Sequence, residues 1–203
     1  MQVQLDHTGK KFDHKWVFRD LTHRVEPKST SAITGKNGSG KSTLLLMMAG
    51  YLTPSQGHVR WMLNDRVVPP DQVFHFVSLA SPHMELIGEF TIPELIRFQQ
   101  KFRPFMDGLS IKDLVEISTL GSNVKKPIRQ FSSGMKQRVK LLLAIMVRSE
   151  LMLLDEPCTH LDREGIAWYH DLLKAFGHNR SLVVASNHNP EDYPGCNHFI
   201  RLG

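Results

Sequence analysis

The sequence is poor in the features that mark several large classes of protein. It has only two cysteines in 203 residues, too few for a disulfide framework or a four-cysteine zinc site. The longest apolar run lies between Leu44 and Leu52, whereas a membrane-spanning helix needs about 20 residues. The first residues, Met1 to Asp6, lack the basic and then apolar pattern of a secretory signal. We therefore expect a cytoplasmic protein with no membrane span of its own.

The charge balance is only mildly basic. Lysine and arginine total 25 against 20 acidic residues, which gives a formal net charge of +5. A surplus of this size is typical of an ordinary solvated surface, so we expect no nucleic-acid partner. Apolar residues make up 41% of the chain and charged residues 22%, a composition typical of a folded globular protein rather than a disordered one.

Hydrophobic patterning predicts an α/β fold with a mainly parallel sheet. Residues 1–30 resemble antiparallel strands, and the continuous apolar runs 151–154 and 182–185 are typical of strands buried on both faces. Apolar residues at helical spacing predict a helical insert over about 82–135. We expect one domain over residues 1–203, with core segments 1–81 and 136–203. The predicted helices are 43–52, 93–102, 110–119 and 133–148, and further predicted strands are 31–34, 58–63, 66–68, 73–79 and 198–202.

A glycine-rich motif predicts a phosphate-binding loop. The segment from Gly35 to Ser42 reads GKNGSGKS and fits the pattern G-x-x-x-x-G-K-[ST]. It follows a predicted strand and opens a predicted helix, so backbone N–H groups and the helix N-terminus would surround phosphate oxygens. Lys41 is placed to reach the β- and γ-phosphates, and the Ser42 hydroxyl to bind Mg²⁺.

Two acidic residues follow the apolar strand 151–154. Asp155 and Glu156 would lie at the carboxyl edge of a parallel sheet, where ligands bind in open α/β folds. We expect Asp155 to hold Mg²⁺ and Glu156 to take a proton from the attacking water, or to orient it.

Further motifs follow in a fixed order. Phe131 to Arg138 reads FSSGMKQR, Thr159 to Asp162 reads THLD, and His188 follows the strand 182–185. Together with the phosphate loop and the acidic pair, they make the sequence resemble the ATP-binding cassette (ABC) ATPases, the nucleotide-binding subunits of ABC transporters. The resemblance extends over nearly the whole chain and implies a P-loop NTPase core with an N-terminal antiparallel β subdomain and an inserted helical subdomain.

The resemblance also implies roles for single residues. Ser132 and Gly134 match the family's signature motif, Asp162 matches the D-loop and His188 the switch histidine. Phe12 stands where the family has an aromatic that stacks on adenine, with Trp16 as the alternative. The residues expected to bind the nucleotide are Phe12, Gly35, Asn37, Gly38, Ser39, Gly40, Lys41, Ser42, Thr43, Ser132, Gly134 and Asp162. The expected catalytic residues are Lys41, Glu156 and His188, and the expected Mg²⁺ ligands are Ser42 and Asp155.

The family mechanism implied by this resemblance uses two cassettes. They face each other head to tail and enclose two ATP molecules, with the P-loop of one and the signature motif of the other on each γ-phosphate. Most members with one short cassette serve a separate membrane-spanning permease subunit. The resemblance thus implies a homo- or heterodimer, held at the inner face of a membrane through that partner.

One departure from the family keeps alternatives open. The family has a glutamine after the strand predicted here over 73–79, whereas Ser78 to His83 reads SLASPH. An ATP-gated module with little hydrolysis is therefore one alternative, although Glu156 and His188 argue for turnover. A soluble ABC-type ATPase of a non-transport assembly, such as iron–sulfur cluster assembly, is another. A small-molecule kinase is disfavoured, because it would need neither the signature nor the acidic pair.

Overall fold

The computed structural model describes residues 1–106 and 108–203. The chain forms two compact units, and three chain segments make up the first: Met1–Leu79, Ser149–Glu156 and His178–Gly203. The second consists of Ala80–Arg148 and Pro157–Gly177. The helical segment predicted over about 82–135 lies within this second unit.

The first unit contains an antiparallel sheet of four strands. Its strand order is β2-β1-β4-β5, with β1 at Gln2–Phe12, β2 at Lys15–Val25, β4 at Gln56–Leu63 and β5 at Arg66–Val68. In the first half of β1, the alternate residues Val3 and Leu5 are fully buried, because successive side chains of a strand point to opposite faces. Asn64 and Asp65 both have positive φ between β4 and β5, as tight hairpin turns require.

The second sheet of this unit has the strand order β6-β7-β8-β3-β9. The bounds are β3 at Thr30–Thr34, β6 at Val77–Ala80, β7 at Leu151–Asp155, β8 at Ser181–Ser186 and β9 at His198–Arg201. Strand β3 pairs in parallel with β8 and β9, and β7 pairs in parallel with β8. The predicted mixed architecture is confirmed. Because every residue of β7 and β8 is buried, these strands need apolar residues on both faces.

Helix α1, Lys41–Met48, joins the core of the first unit. Leu44, Leu45 and Met48 belong to one buried cluster with side chains of β3, β7 and β8. The prediction that this helix runs to Leu52 is wrong. It ends at Met48 because Gly50 adopts a φ of 79°, the left-handed conformation that terminates helices.

The α-helices in the described part of the second unit are α2 at Ile92–Gln100, α3 at Ile111–Ile117, α4 at Ser133–Met146 and α5 at Arg163–Phe176. Capping boxes start α2 and α3, through Thr91 with Glu94 and Ser110 with Asp113. Helix α5 was not predicted from the sequence, although Asp162 is a strong N-cap and the buried residues of the helix recur at helical spacing.

The strand predicted over Val73–Leu79 is wrong in its first half. Pro70–His75 forms 3-10 turns, and the strand occupies only Val77–Ala80. The cause is Pro70, whose fixed φ favours a helical start and whose missing N–H cannot support a strand ladder.

Candidate active site

The loop from Gly35 to Ser42 connects β3 to α1, so the strand–loop–helix context of a phosphate loop is present. Gly38 stands exposed with a φ of 81°, and Gly40 precedes α1 with a φ of 99°. The Ser39 N–H donates to the Lys36 carbonyl over 3.1 Å. Of the other expected contacts, Asn37 is exposed and Thr43 lies half-buried in the first turn of α1.

Close packing fixes both ends of this loop. A Cβ at Gly35 would lie 2.3 Å from the Leu202 carbonyl oxygen, which follows β9, and 2.5 Å from the Ser39 hydroxyl. A Cβ at Gly40 would lie 2.5 Å from Val17. The glycines at both positions are therefore required by neighbouring structure as well as by the phosphate-loop pattern.

The Lys41 side chain lies inside the loop. Its ammonium donates to the Gly35 carbonyl over 2.9 Å and to the Lys36 carbonyl over 3.0 Å, and the residue is 5% exposed. An ammonium has three protons, so two carbonyl contacts leave one for a phosphate oxygen. The site can thus present a preorganised positive charge to a phosphate.

The acidic pair lies at the carboxyl edge of the same sheet. Asp155 ends β7 and is 4% exposed. Glu156 is half-buried and has a φ of 43°, and its N–H donates to the Ala185 carbonyl of β8 over 2.9 Å. This left-handed backbone is costly for a residue with a side chain and is frequent at functional sites.

Ser42 and Asp155 offer the type of atoms that Mg²⁺ prefers. One contributes a hydroxyl at the start of α1 and the other a carboxylate at the end of β7, and hard oxygen donors suit this ion. Within residues 1–106 and 108–203, no group of three or more His, Cys, Asp and Glu side chains is arranged to hold a metal. Mg²⁺ commonly completes its shell with phosphate and water oxygens.

His188 shares a pocket with the phosphate loop. It follows β8 with a φ of 58°, and the pocket of about 520 Å³ is lined by His188 together with Thr34, Gly35 and Lys36. Its outer wall is formed by Tyr193, Phe199, Arg201, Leu202 and Gly203. The loop after β8, which carries His188, is held in place because the Ser186 hydroxyl donates to the Asp192 carboxylate over 2.6 Å and accepts the Asn189 N–H over 3.1 Å.

The two aromatic candidates lie near the hairpin between β1 and β2. Phe12 is 48% exposed, with the Lys10 ammonium 5.2 Å from its ring centre, and Trp16 is 38% exposed under Arg19. The hairpin residues that contact the phosphate loop at Gly40 are Val17 and Phe18, and neither was predicted from the sequence. A stacking role for Phe12 stays a prediction.

In the second unit, the signature residues lie at a helix start. Ser132 is the N-cap of α4, is exposed, and accepts the Met135 N–H over 3.3 Å. A Cβ at Gly134 would lie 2.7 Å from the His160 carbonyl oxygen. The helix therefore presents free N–H groups and positive partial charge, which can bind an anion.

Asp162 has a structural role that the sequence did not reveal. Its carboxylate caps α5 by accepting the Gly165 N–H over 2.8 Å, and it also accepts a hydrogen bond from the Arg138 guanidinium over 3.3 Å. The Gly165 N–H, with Arg138 as a further contribution, lowers the pKa of this carboxyl. A direct contact to nucleotide stays a prediction for Asp162.

The segment without the family glutamine is held by a lysine instead. Lys140 of α4 donates to the Pro82 carbonyl over 2.6 Å. Burial lowers the pKa of this ammonium, and Lys136 lowers it further. The loop after β6 therefore has a definite anchor, although it lacks the glutamine side chain.

Comparisons with known proteins give the family. The sequence profile of a family described as "ABC transporter" matches residues 18–159. The chain belongs to this ABC transporter family. It is an ATP-binding cassette ATPase, which binds and hydrolyses ATP.

Curated relatives resemble this ABC ATPase over almost its whole length. The "Cytochrome c biogenesis ATP-binding export protein CcmA" of Agrobacterium fabrum is 28% identical over 195 residues, covering 94% of this chain and 90% of that protein. The protein of the same name from Cupriavidus pinatubonensis is 31% identical over 194 residues, covering 92% and 82%. Among solved structures, a post-hydrolysis dimer of the cassette MJ0796 with ADP and Pi superposes with a TM-score of 0.82 at 20% identity, covering 98% of this chain and 94% of that one. That likeness confirms the fold.

None of the helices in the described residues is both long enough and apolar enough to span a bilayer.

Proposed function

We propose that this ABC ATPase is the energising subunit of a membrane transporter and that ATP closes a dimer of cassettes. The arrangement in the first unit carries this proposal. Three neighbouring strands of one sheet end at the same edge, where ligands bind in α/β folds. The phosphate loop follows β3, Asp155 and Glu156 lie at the end of β7, and His188 follows β8.

The proposed reaction is hydrolysis of the γ-phosphate. Lys41 and the N-terminus of α1 hold the triphosphate, while Ser42 and Asp155 would hold Mg²⁺, which would offset phosphate charge when bound. Glu156 accepts a proton as the water oxygen attacks phosphorus, and the bond to the bridging oxygen breaks to leave ADP and phosphate. His188 orients the water and contacts the γ-phosphate.

A second copy would complete each site. Ser132 and Gly134 of one copy would bind the γ-phosphate held by the other, since the start of a 14-residue helix is exposed there. Hydrolysis would then be gated by closure, because neither copy alone surrounds the transferred group.

The names of the relatives suggest the direction of transport. Two are called ATP-binding export proteins of cytochrome c biogenesis. We propose an export system, with this chain held at the inner face of the membrane by a membrane-spanning partner.

A second candidate is an ATP-gated module with slow hydrolysis. The segment Ser78 to His83 lacks the family glutamine, and Lys140 anchors it by a different contact. Measured turnover separates the candidates, because this alternative requires dimer formation without appreciable phosphate release.

Glu156→Gln tests the mechanism. We expect this variant to bind ATP, to hydrolyse it at least ~100-fold more slowly because the base is lost, and to form a stable dimer in light scattering with ATP and Mg²⁺. Glu116→Gln, an exposed glutamate on α3, is the matched control and should behave as the wild type. A Glu156→Gln protein that stays monomeric at saturating ATP would refute the dimer, and one that hydrolyses normally would refute the base.

The same variant tests the partner. Purified in mild detergent from its native cells with ATP, tagged Glu156→Gln should bring along a multi-span membrane protein in stoichiometric amount. Recovery of soluble partners alone would overturn the transporter proposal and favour a non-transport assembly.

A further inference from the structure

Gln137 is a buried polar side chain with one specific task. It lies in the first half of α4, is 2% exposed, and its amide donates to the Pro157 carbonyl over 2.9 Å. Its helix neighbours Val139 and Leu141 are buried and apolar. A buried amide in such surroundings is costly unless it is hydrogen-bonded, and the bond to the Pro157 carbonyl offsets part of this cost.

The accepting carbonyl occupies a sensitive place in the chain. Pro157 directly follows Glu156, and proline has no N–H, so its carbonyl is its only backbone hydrogen-bonding group. Pro157 is itself buried, and a buried carbonyl needs a donor. Gln137 therefore fixes the orientation of the peptide that leaves the Glu156–Pro157 pair.

Two more contacts fasten the following turn to the same helix. Gly134 approaches the His160 carbonyl so closely that a Cβ would lie 2.7 Å from its oxygen. The Arg138 guanidinium contacts the Asp162 carboxylate over 3.3 Å. The turn from Pro157 to Asp162 is thus held by α4 at three points, one in each part of the turn.

We propose that Gln137 is a positioning residue for ATP hydrolysis. It ties the chain just after the proton acceptor to the helix whose N-terminus carries Ser132 and Gly134, so that engagement of this helix by ATP is transmitted to Glu156. Gln137 touches neither substrate nor water in this role. The inference rests on the proposed role of Glu156.

Gln137→Met tests the donor, since methionine keeps a similar length and volume but has no N–H. We expect kcat to fall at least ~10-fold while KM stays within about threefold, and the Kd of a fluorescent ATP analogue to stay within about twofold. Leu141→Met, one helical turn further on and equally buried, is the control for altered packing and should keep kcat near wild type. Unchanged kcat in Gln137→Met, or equal losses in both variants, would overturn the proposal.

Gln137→Glu provides a second test, which does not depend on the comparison between the two methionine variants. A glutamic acid at this position donates to the Pro157 carbonyl only when protonated, and burial raises the pKa of a carboxyl. We expect its kcat relative to wild type to recover as pH falls from 8 to 6, and a flat ratio over this range would contradict the role. Glu156→Gln is measured in parallel. If this variant stays active, the proposed role of Glu156 fails. If it is inactive while Gln137→Met is fully active, only the positioning role of Gln137 is refuted.

Discussion

Two glycines of the phosphate loop should respond to alanine for opposite physical reasons. Gly35 has an ordinary backbone conformation but no room, since its Cβ would lie 2.3 Å from the Leu202 carbonyl oxygen. Gly38 has open space around the added carbon but a φ of 81°. Gly35→Ala is therefore a test of packing, and Gly38→Ala is a test of backbone strain.

The structure sets the relative size of the two effects. Near Gly35, Ser39 can rotate, but the Leu202 backbone is fixed because its N–H donates to Thr34 over 2.8 Å. Relief requires a shift of the chain after β9 by roughly 1 Å, and overpacking of this kind costs about 1–3 kcal/mol. At Gly38 the left-handed conformation costs about 1–2 kcal/mol, of which roughly 0.4–1 kcal/mol is recovered because alanine restricts the unfolded chain.

Urea unfolding measures both variants. Alanine restricts the unfolded chain by the same amount at both positions. With a slope of about 2 kcal/mol per M, we therefore expect Gly35→Ala to lower the midpoint by about 0.7 M and Gly38→Ala by about 0.4 M. ATP affinity should fall in Gly35→Ala, since the displaced segment borders the pocket that contains Lys36 and His188. Equal midpoints, or a larger loss for Gly38→Ala, would refute the close approach of β9 to the phosphate loop.

Two other predictions concern local hydrogen bonds. Ser132→Ala should destabilise the protein by about 1 kcal/mol, because the N-cap hydrogen bond to the Met135 N–H is lost. Ser133→Ala, at the exposed neighbouring position, is the control. Equal urea midpoints for the two alanine variants would contradict the capping role of Ser132. His7 and Asp20 interact over 2.6 Å, and this hydrogen bond raises the pKa of His7. The stabilisation is then present below pH 6.5 and is lost as the pH rises through the folded pKa. Asp20→Asn should therefore lower the urea midpoint at pH 6 and leave it unchanged at pH 8.5. The same difference in midpoint between variant and wild type at both pH values would contradict this pair.

Local chemistry explains what the sequence predicted well. The phosphate loop, its strand and the start of α1 follow from glycine spacing and a short apolar run. The acidic pair follows from the continuous apolar strand before Asp155. Such features depend on a few consecutive residues, so a single sequence contains them.

Contacts between residues far apart in the chain could not be predicted from local sequence patterns. Nothing near Gln137 indicates that its partner is the Pro157 carbonyl, because any buried donor would satisfy that oxygen. Val17 and Phe18 contact Gly40 only because the hairpin of the first sheet packs on the loop. By contrast, α5 was missed despite a clear local signal, the N-cap Asp162.

Strand order decides whether the predicted residues can work together. Gly35 follows β3, Glu156 follows β7 and the loop of His188 follows β8, which lies between the other two. Neighbouring strands are about 4.8 Å apart, so β3 and β7 are separated by roughly 10 Å, enough for a phosphate group and a water between loop and carboxylate. Direct pairing of β3 with β7 would halve this gap. The proposed role of His188 fits this order, because the loop after the intervening strand β8 brings His188 into the pocket lined by Gly35 and Lys36.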